Sequence, residues 1–507
     1  MLVTVIAKAT DKEVRKDIQR VIAQSDAIEL RLDYLDHVDV ADIQRLKHDF
    51  SIPMIFTLRK KSQGGLFAKT ESERLILLEK LAALAPAFID LEFDVAVEFA
   101  TRLKQHYPKV QLIRSYHDFE KTPGNLAEIL AQLRHPTFSV YKIVTYAQST
   151  LDSLKVLVFV KTVAPDMKIA SFCMGELGLA SRVLSPIVGG ALQYAGVDDA
   201  GQVASGQLSA STLSERYHVR SMNPQTHVYA LLASPIAADK SAGHVVHNCA
   251  FEFLGKNAVY VKLGLESTEL AAFFKLISLL PLKGLSVTMP FKQEVMPYLD
   301  RIDTHAHTIG SVNTIVIDDE GVLTGYNTDA NAALDAIEDE VAVADKVLVI
   351  VGAGGTARAI GHEAIQRKAR VIFLNRTAEK AHALAAEMHC QGHGLDEIAL
   401  TAFDYDILVN TTPLGMAGQP NTLPIPQDFI IPKRVVMDTV YHPMHTLLTM
   451  EAQRRDCIVV HGVQMFINQA VRQLQWWFGG VSQVKALKHI GVEAFNKWVS
   501  NCPRILK

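Results

Sequence analysis

Lysines set in apolar surroundings are the first chemically suggestive feature of this chain. Tyr141-Lys142-Ile143 places one inside the strand-like run Ser139–Ala147. An ammonium there is costly unless its charge is paired or neutralised. With a depressed pKa such a lysine is a nucleophile toward a carbonyl, forming a Schiff base; pairing with a structural carboxylate is the alternative. Ser115-Tyr116-His117-Asp118 closes the preceding strand-like run, and an imidazole at that neighbouring strand end favours catalysis. A second lysine ends Ser286-Val287-Thr288-Met289-Pro290-Phe291-Lys292. Gly325-Tyr326-Asn327-Thr328-Asp329 supplies an aspartate before the helical pattern Ala330–Ile337. A Lys–Asp pair can pass a proton to a carbonyl being reduced, or can be a surface salt bridge.

The third feature is a glycine-rich turn. Val347–Val351 is an apolar run, Gly352-Ala353-Gly354-Gly355-Thr356-Ala357 a turn, and a helical pattern follows. Gly352 permits the turn, Gly354 lets backbone approach a pyrophosphate, and Ala357 stands where the third small residue of G-x-G-x-x-G/A packs helix on strand. Free N–H groups at the helix start favour a phosphate. The next strand-like run, Arg370–Leu374, ends in Asn375-Arg376-Thr377. An acid there selects NAD; an arginine can pair with a 2′-phosphate, so NADP(H) is expected. Leu408–Met416 reads as a further strand and turn of the kind that lines nicotinamide pockets.

The surrounding elements must hold these groups. Eight strand-like runs, beginning at Leu2–Ala7 and ending at Tyr194–Val197, alternate with amphipathic pieces such as Glu71–Ala85. That pattern predicts a (β/α)8 barrel, with a doubly wound open sheet as the alternative. Polar residues gather at the strand ends, where barrel active sites lie: Glu29-Leu30-Arg31-Leu32-Asp33, Arg59, His117, Arg182 and Gln207. The pattern breaks near Tyr217–Gln225, and a second α/β unit starts at Val228. At 507 residues two or three domains are expected. The adjacent Trp476 and Trp477 read as core or interface.

Composition narrows the partners. A formal net charge of −3 gives no electrostatic reason to expect nucleic acid. Five scattered cysteines without C-x-x-C spacing argue against a disulfide framework or structural zinc and suggest a reducing, cytoplasmic setting. No stretch reaches transmembrane length, and Met1–Ala7 lacks the features of a signal peptide, so no membrane partner is expected. Oligomeric state is not readable.

Two resemblances join these pieces. Glu29-Leu-Arg31-Leu-Asp33, Phe56-Thr-Leu-Arg59, Ser115-Tyr-His117-Asp118-Phe119, Tyr141-Lys142-Ile143, Gly178-Leu-Ala-Ser181-Arg182 and Gly206-Gln207 resemble type I 3-dehydroquinate dehydratase. The resemblance implies a metal-free Schiff-base enzyme. Lys142 forms the imine, and His117 takes and returns the proton. Arg182 holds the substrate carboxylate, and Glu29, Arg31, Arg59 and Gln207 contact the rest of the substrate. Gln63 stands where glutamate is common, and Val203 where a ring-contacting serine is common.

Residues 226–480 resemble shikimate dehydrogenase. The matching pieces are Ser286–Lys292, Ile309–Thr314, Gly325–Asp329, Gly352–Ala359, Asn375–Thr377, Asp438–Pro443 and Gly462–Ala470. By that resemblance Lys292 and Asp329 are catalytic. Ser241, Thr288, Asn313, Tyr441 and Gln469 contact 3-dehydroshikimate. Gly352–Ala357, Asn375, Arg376, Thr377 and Gly462 hold NADP(H). The segment Ser234–Asn248 is two residues longer than the family's carboxylate-binding pattern. Counted from either end, Ser241 is the one residue that stays in a serine position. The implied organisation is a dehydratase barrel over 1–217, a substrate domain over 226–332, a Rossmann-like NADP domain over 333–462, and C-terminal helices over 463–507 that return to the substrate domain. The rival readings are a second half that prefers quinate and a ligand-binding regulator derived from these enzymes.

Overall fold

The computed structural model describes residues 1–199, 204–397 and 404–501. Contacts between α-carbons divide it into two compact units: Met1–Val228 with Asn257–Leu282, and Tyr229–Lys256 with Lys283–Lys507. Among the described residues no helix is long and apolar enough to cross a membrane.

The first unit is built on eight parallel strands: β1 (Leu2–Ile6), β2 (Ala27–Arg31), β3 (Met54–Thr57), β4 (Phe88–Glu92), β5 (Gln111–His117), β6 (Val140–Tyr146), β7 (Ile169–Met174) and β8 (Gln193–Ala195). They run in the order β7-β6-β5-β4-β3-β2-β1-β8, the sheet of a nearly closed barrel. Four of the helices between the strands start where side chains satisfy first-turn N–H groups. Thr10 with Glu13 and Thr70 with Glu73 form capping boxes, and Asp39 and Ser149 are single caps.

Side-chain alternation then decides what the barrel encloses. Ala27, Ile55, Phe88, Ile113 and Val140 form part of one buried apolar cluster with Phe172 and Tyr194. Two residues further along the same strands come Glu29, Thr57, Asp90, Ser115 and Lys142. A strand's period of two keeps both sets on one face. A polar layer therefore sits directly above an apolar one.

The second unit contains two sheets. β9 (His227–Ala233) leads into it, while β10 (Ala258–Gly264) falls in the first unit. β11 (Leu282–Val287), β13 (Thr314–Ile317) and β14 (Leu323–Tyr326) pair antiparallel, and β12 (Arg301–Ile302) pairs parallel to β14. The other sheet is wholly parallel: β15 (Val347–Val351), β16 (Arg370–Asn375), β17 (Gln391–Gly394), β18 (Ile407–Asn410), β19 (Val435–Asp438) and β20 (Ile458–Val460). Its order, β17-β16-β15-β18-β19-β20, reverses between β15 and β18. That is the dinucleotide-binding arrangement, with its crevice at the switch point. The short strands β12 and β17 carry too few apolar residues to stand out in the sequence, and β20, although apolar throughout, is only three residues long.

The helix Gly462–Trp477 packs on the helix Asp329–Glu338. Asn468 donates to the Ala332 carbonyl at 3.2 Å, and Arg472 pairs with Asp335 at 2.5 Å. Trp477 is buried and donates to the Ile315 carbonyl at 3.1 Å; Trp476 is exposed and stacks on Tyr326 at 3.9 Å.

Behind the barrel mouth, Arg74 is fully buried. It donates to Glu92 at 2.7 Å and to the Leu58 carbonyl at 3.0 Å, and its other edge holds Glu71 at 2.7 and 2.9 Å. Removing one partner of such a pair leaves a buried charge. Arg74→Met is expected to destabilise the first unit by about 3–5 kcal/mol in urea unfolding followed by circular dichroism. A loss below about 1 kcal/mol would show that Glu92 is compensated otherwise.

Candidate active sites

Lys142 Nζ lies 3.4 Å from Glu29 Oε1 and 3.2 Å from Asp90 Oδ2. Beneath it the Tyr194 ring centroid is 4.0 Å away. The carboxylates are themselves anchored. Thr57 donates to Glu29 at 2.8 Å; Arg59 donates to Asp90 at 2.9 Å and to Ser115 Oγ at 2.7 Å; Ser115 donates to Asp90 at 2.6 Å. Burial pushes the Asp90 carboxyl up, but Arg59, Lys142 and His117 outweigh it and hold it well below the usual carboxylate range. Burial lowers Arg59, and Asp90 and Glu92 more than restore it, leaving the guanidinium firmly charged.

A cavity of about 90 Å³ opens over this layer, and Glu29, Arg31, Arg59, His117, Lys142, Arg182 and Gln207 all line it. His117 ends β5 and stacks on Phe119 at 5.8 Å. Burial first, then Arg59 and Lys142, push its imidazole well below the ordinary value, so it is neutral near pH 7. Arg182 stands on the short helix Leu179–Leu184 over the Phe172 ring at 4.7 Å, with its pKa pushed down to about 10 by burial. Arg31 is locked to Asp33 by two bonds of 2.8 and 2.9 Å. Several cavity atoms have no hydrogen-bond partner among the described residues: His117 Nδ1, Arg182 Nε and Nη2, Gln207 Oε1, Gln63 Oε1 and the Tyr194 hydroxyl. Val203 lies outside the described residues.

Sequence reasoning missed Asp90 and Tyr194. Asp90 left a signal: Phe88-Ile-Asp90-Leu-Glu92 puts carboxylates at alternate positions of a short apolar strand. Tyr194 left none, because a tyrosine in a barrel strand reads as core.

In the second unit Lys292 Nζ donates to Asp329 Oδ2 at 2.5 Å. The Asn313 amide donates to Asp329 Oδ1 at 2.9 Å, Thr328 Oγ1 at 3.0 Å and Gln469 Oε1 at 3.2 Å. Its oxygen accepts from the Thr314 hydroxyl and the Thr328 N–H. Ser286 donates to Gln473 at 2.8 Å, and the Gln473 amide donates to the Asn313 carbonyl at 3.2 Å. So Lys292, Asp329, Asn313 and Gln469 are directly connected, and Ser286 joins through Gln473. Ser241 and Thr288 are not drawn into that network. The Ser241 hydroxyl accepts from the Gly243 N–H at the start of the helix Gly243–Phe253, and the Thr288 N–H donates to the Leu232 carbonyl. Tyr441 stacks on Phe466 at 4.9 Å.

The glycine-rich turn fits a dinucleotide. Gly352 has φ +119°, and a Cβ there would meet Thr411 Oγ1 at 2.3 Å, across the β15–β18 switch point. Open space faces Gly354 and Gly355 at the start of the helix Gly355–Gln366, whose first N–H groups have no helical partners. Ala353 and Thr356 are half-buried and Ala357 is buried against the sheet. Arg376 is exposed after β16, between Asn375 and Thr377. Gly462 opens its helix against the Val440 carbonyl, 2.5 Å from where a Cβ would be.

The sequence matches the family model of type I 3-dehydroquinase over residues 2–224. It matches that of the shikimate dehydrogenase substrate binding domain over 231–315, and that of shikimate/quinate 5-dehydrogenase over 335–414. It is 32% identical over 495 residues to the chloroplastic bifunctional 3-dehydroquinate dehydratase/shikimate dehydrogenase of Arabidopsis thaliana, covering 94% of this chain and 81% of that one. The chain belongs to the bifunctional 3-dehydroquinate dehydratase/shikimate dehydrogenase family. A shikimate biosynthesis protein of Chlamydia pneumoniae is 30% identical, covering 94% of this chain and 95% of that one. A solved shikimate dehydrogenase in complex with NADP+ is 34% identical over 54% of this chain and 96% of that one, with a TM-score of 0.49. The cavity over Lys142 thus lies in the dehydratase half, and the Lys292–Asp329 pair in the dehydrogenase half.

The lowered pKa of His117 has a direct readout. In imidazole ¹⁵N NMR its titration midpoint is expected well below the ordinary 6.5. A midpoint at or above that value would mean that the ring is solvated.

Proposed function

We propose that the barrel dehydrates 3-dehydroquinate to 3-dehydroshikimate and that the second half reduces this product with NADPH to shikimate. The observation that carries the reading is the set of unpartnered polar atoms over Lys142. Arg182 offers two N–H donors, a fork for a carboxylate, while Gln207 and His117 offer further sites to a hydroxylated ring. Once Lys142 has given its ammonium proton to solvent, its amine attacks the substrate ketone and water leaves; the resulting iminium draws electrons from the neighbouring C–H bond, and hydrolysis of the product imine finally frees the lysine. His117, uncharged because of burial beside Arg59 and Lys142, takes that proton and returns it to the departing hydroxyl. Glu29, Arg31, Arg59 and Gln207 orient the ring. Gln63 brings no charge to the same wall.

In the dehydrogenase half, Lys292 donates a proton to the ketone oxygen of 3-dehydroshikimate, and Asp329 holds its ammonium. Asn313 and Gln469 meet ring hydroxyls, with Thr288 and Tyr441 beside them. Ser241 contacts the carboxylate near a helix N-terminus. When bound, NADPH supplies the hydride. Gly352–Ala357 and Gly462 give its backbone access, and Arg376 pairs with the 2′-phosphate between Asn375 and Thr377. The family's two-reaction character and an NADP+-named relative, the shikimate dehydrogenase of Methanocaldococcus jannaschii at 36% identity, support this assignment. The described cysteines form no disulfide, which suits a reducing compartment such as the cytoplasm. Small molecules account for the sites, and neither nucleic acid nor membrane is invoked.

The test is to give the full chain 3-dehydroquinate and NADPH and follow both products. Lys142→Met is expected to abolish dehydration and borohydride trapping while leaving reduction of added 3-dehydroshikimate intact. Asp329→Asn should do the converse, lowering reduction by about 10²–10⁴-fold. Turnover with Lys142 unmodified by borohydride would sink the Schiff-base route. Arg376→Glu is expected to raise KM for NADPH by about tenfold or more, as loss of a charged hydrogen bond does, and to leave NADH use unimpaired. Equal effects on both cofactors would place Arg376 away from the 2′-phosphate.

A further inference from the structure

One buried polar group in the barrel cavity is unused by the steps above. Tyr194 lies in β8, is 4% exposed and lines the cavity. Its ring packs against Phe172 at 5.8 Å and faces Lys142 Nζ at 4.0 Å from the ring centroid. Its hydroxyl is buried and has no hydrogen-bond partner among the described residues. A phenylalanine would supply the same ring to Phe172 and the same π-face to the ammonium. It would do so without the desolvation cost of an unsatisfied hydroxyl. Packing therefore explains the ring and leaves the oxygen unexplained.

The company this oxygen keeps is informative. His117, Arg182 and Gln207 also turn unpartnered atoms into the same cavity, and each of them is assigned to the substrate. Groups left unsatisfied together in one cavity are groups that a ligand satisfies. Burial, with Glu29 and Asp90 nearby, holds the Tyr194 phenol well above its ordinary pKa. The group therefore keeps its proton at neutral pH and is a hydrogen-bond donor rather than a base.

We propose that Tyr194 is a substrate-binding residue of the dehydratase half, its hydroxyl donating a hydrogen bond to an oxygen of 3-dehydroquinate while its ring holds the Lys142 amine in place. The O–H bond stays intact, so the contact is one of binding and not of proton transfer. The inference rests on the dehydratase reading of the cavity.

The test is Tyr194→Phe in the full chain, with thermal unfolding measured without ligand. KM for 3-dehydroquinate is expected to rise about threefold to tenfold, the effect of losing one neutral hydrogen bond. Lys142 should still be trapped by borohydride, because the ring remains. The unliganded melting temperature should hold or rise, because an unsatisfied group has been removed. Reduction of 3-dehydroshikimate should not change, which serves as a control within the same molecule. Unchanged dehydratase kinetics would overturn the proposal, and a lowered melting temperature alongside them would make the hydroxyl structural. Failure of the unsubstituted chain to dehydrate 3-dehydroquinate would instead remove the dehydratase reading, a failure visible before any variant is compared.

Discussion

Burying Lys142 is the constraint on which the barrel depends. An ammonium inside a parallel sheet must be neutralised by groups that are as dry as it is. Glu29 and Asp90 do this from β2 and β4. Two buried carboxylates then need more cation than one lysine supplies. Arg59 adds it from the end of β3, and Arg74 compensates Glu92 from outside the barrel. Each charge is placed by the need of the previous one. Neighbouring strands must keep register for the set to meet, and a one-residue slip would turn the polar layer out of the interior. The chemistry and the strand register are thus specified by the same residues.

In the dehydrogenase half the corresponding role falls to an amide. Asn313 precedes β13 and faces the start of the helix bearing Asp329 and the helix bearing Gln469. Its oxygen is fixed by Thr314 and by the Thr328 N–H, so its nitrogen must face the three acceptors. That fixes the amide orientation without charge. It also explains why residues more than a hundred positions later in the chain belong to this site. The helix Gly462–Trp477 buries its apolar face and delivers Gln469 and Gln473 to Asn313.

The fold was readable where local pattern and burial agree. The eight barrel strands appear as apolar runs because both faces of a parallel barrel strand are covered. The Gly352 turn is readable because its backbone tolerates few other residues. The site in the barrel was readable from charge interrupting apolar strands, as at Lys142 and Glu29. Asp90, two residues before Glu92 in β4, follows the same rule. Tyr194 could not be found from composition, since what singles it out is an oxygen without a partner among the described residues, a property of the assembled cavity. Short edge strands such as Arg301–Ile302 owe their pairing to neighbours rather than to their own residues. The contacts of Ser286 were hidden for a similar reason: its partner, Gln473, lies in a helix at the far end of the chain.

The two lysines show how environment separates two kinds of carbonyl chemistry. Lys142 has 6% of its side chain exposed and sits between two carboxylates over an aromatic ring. Lys292 has 26% exposed and a single carboxylate partner. A nucleophile must be held still against one carbon atom, and a dry site with contacts on several sides does that. A proton donor must instead stay charged until the oxygen arrives and must be recharged after each turnover, which favours one anionic partner and access to water. The strand position of Lys142 supplies the first environment, and the turn position of Lys292, just beyond β11, supplies the second. The placement of each lysine in its fold therefore suits it to a different step, although both act on a ketone of closely related rings.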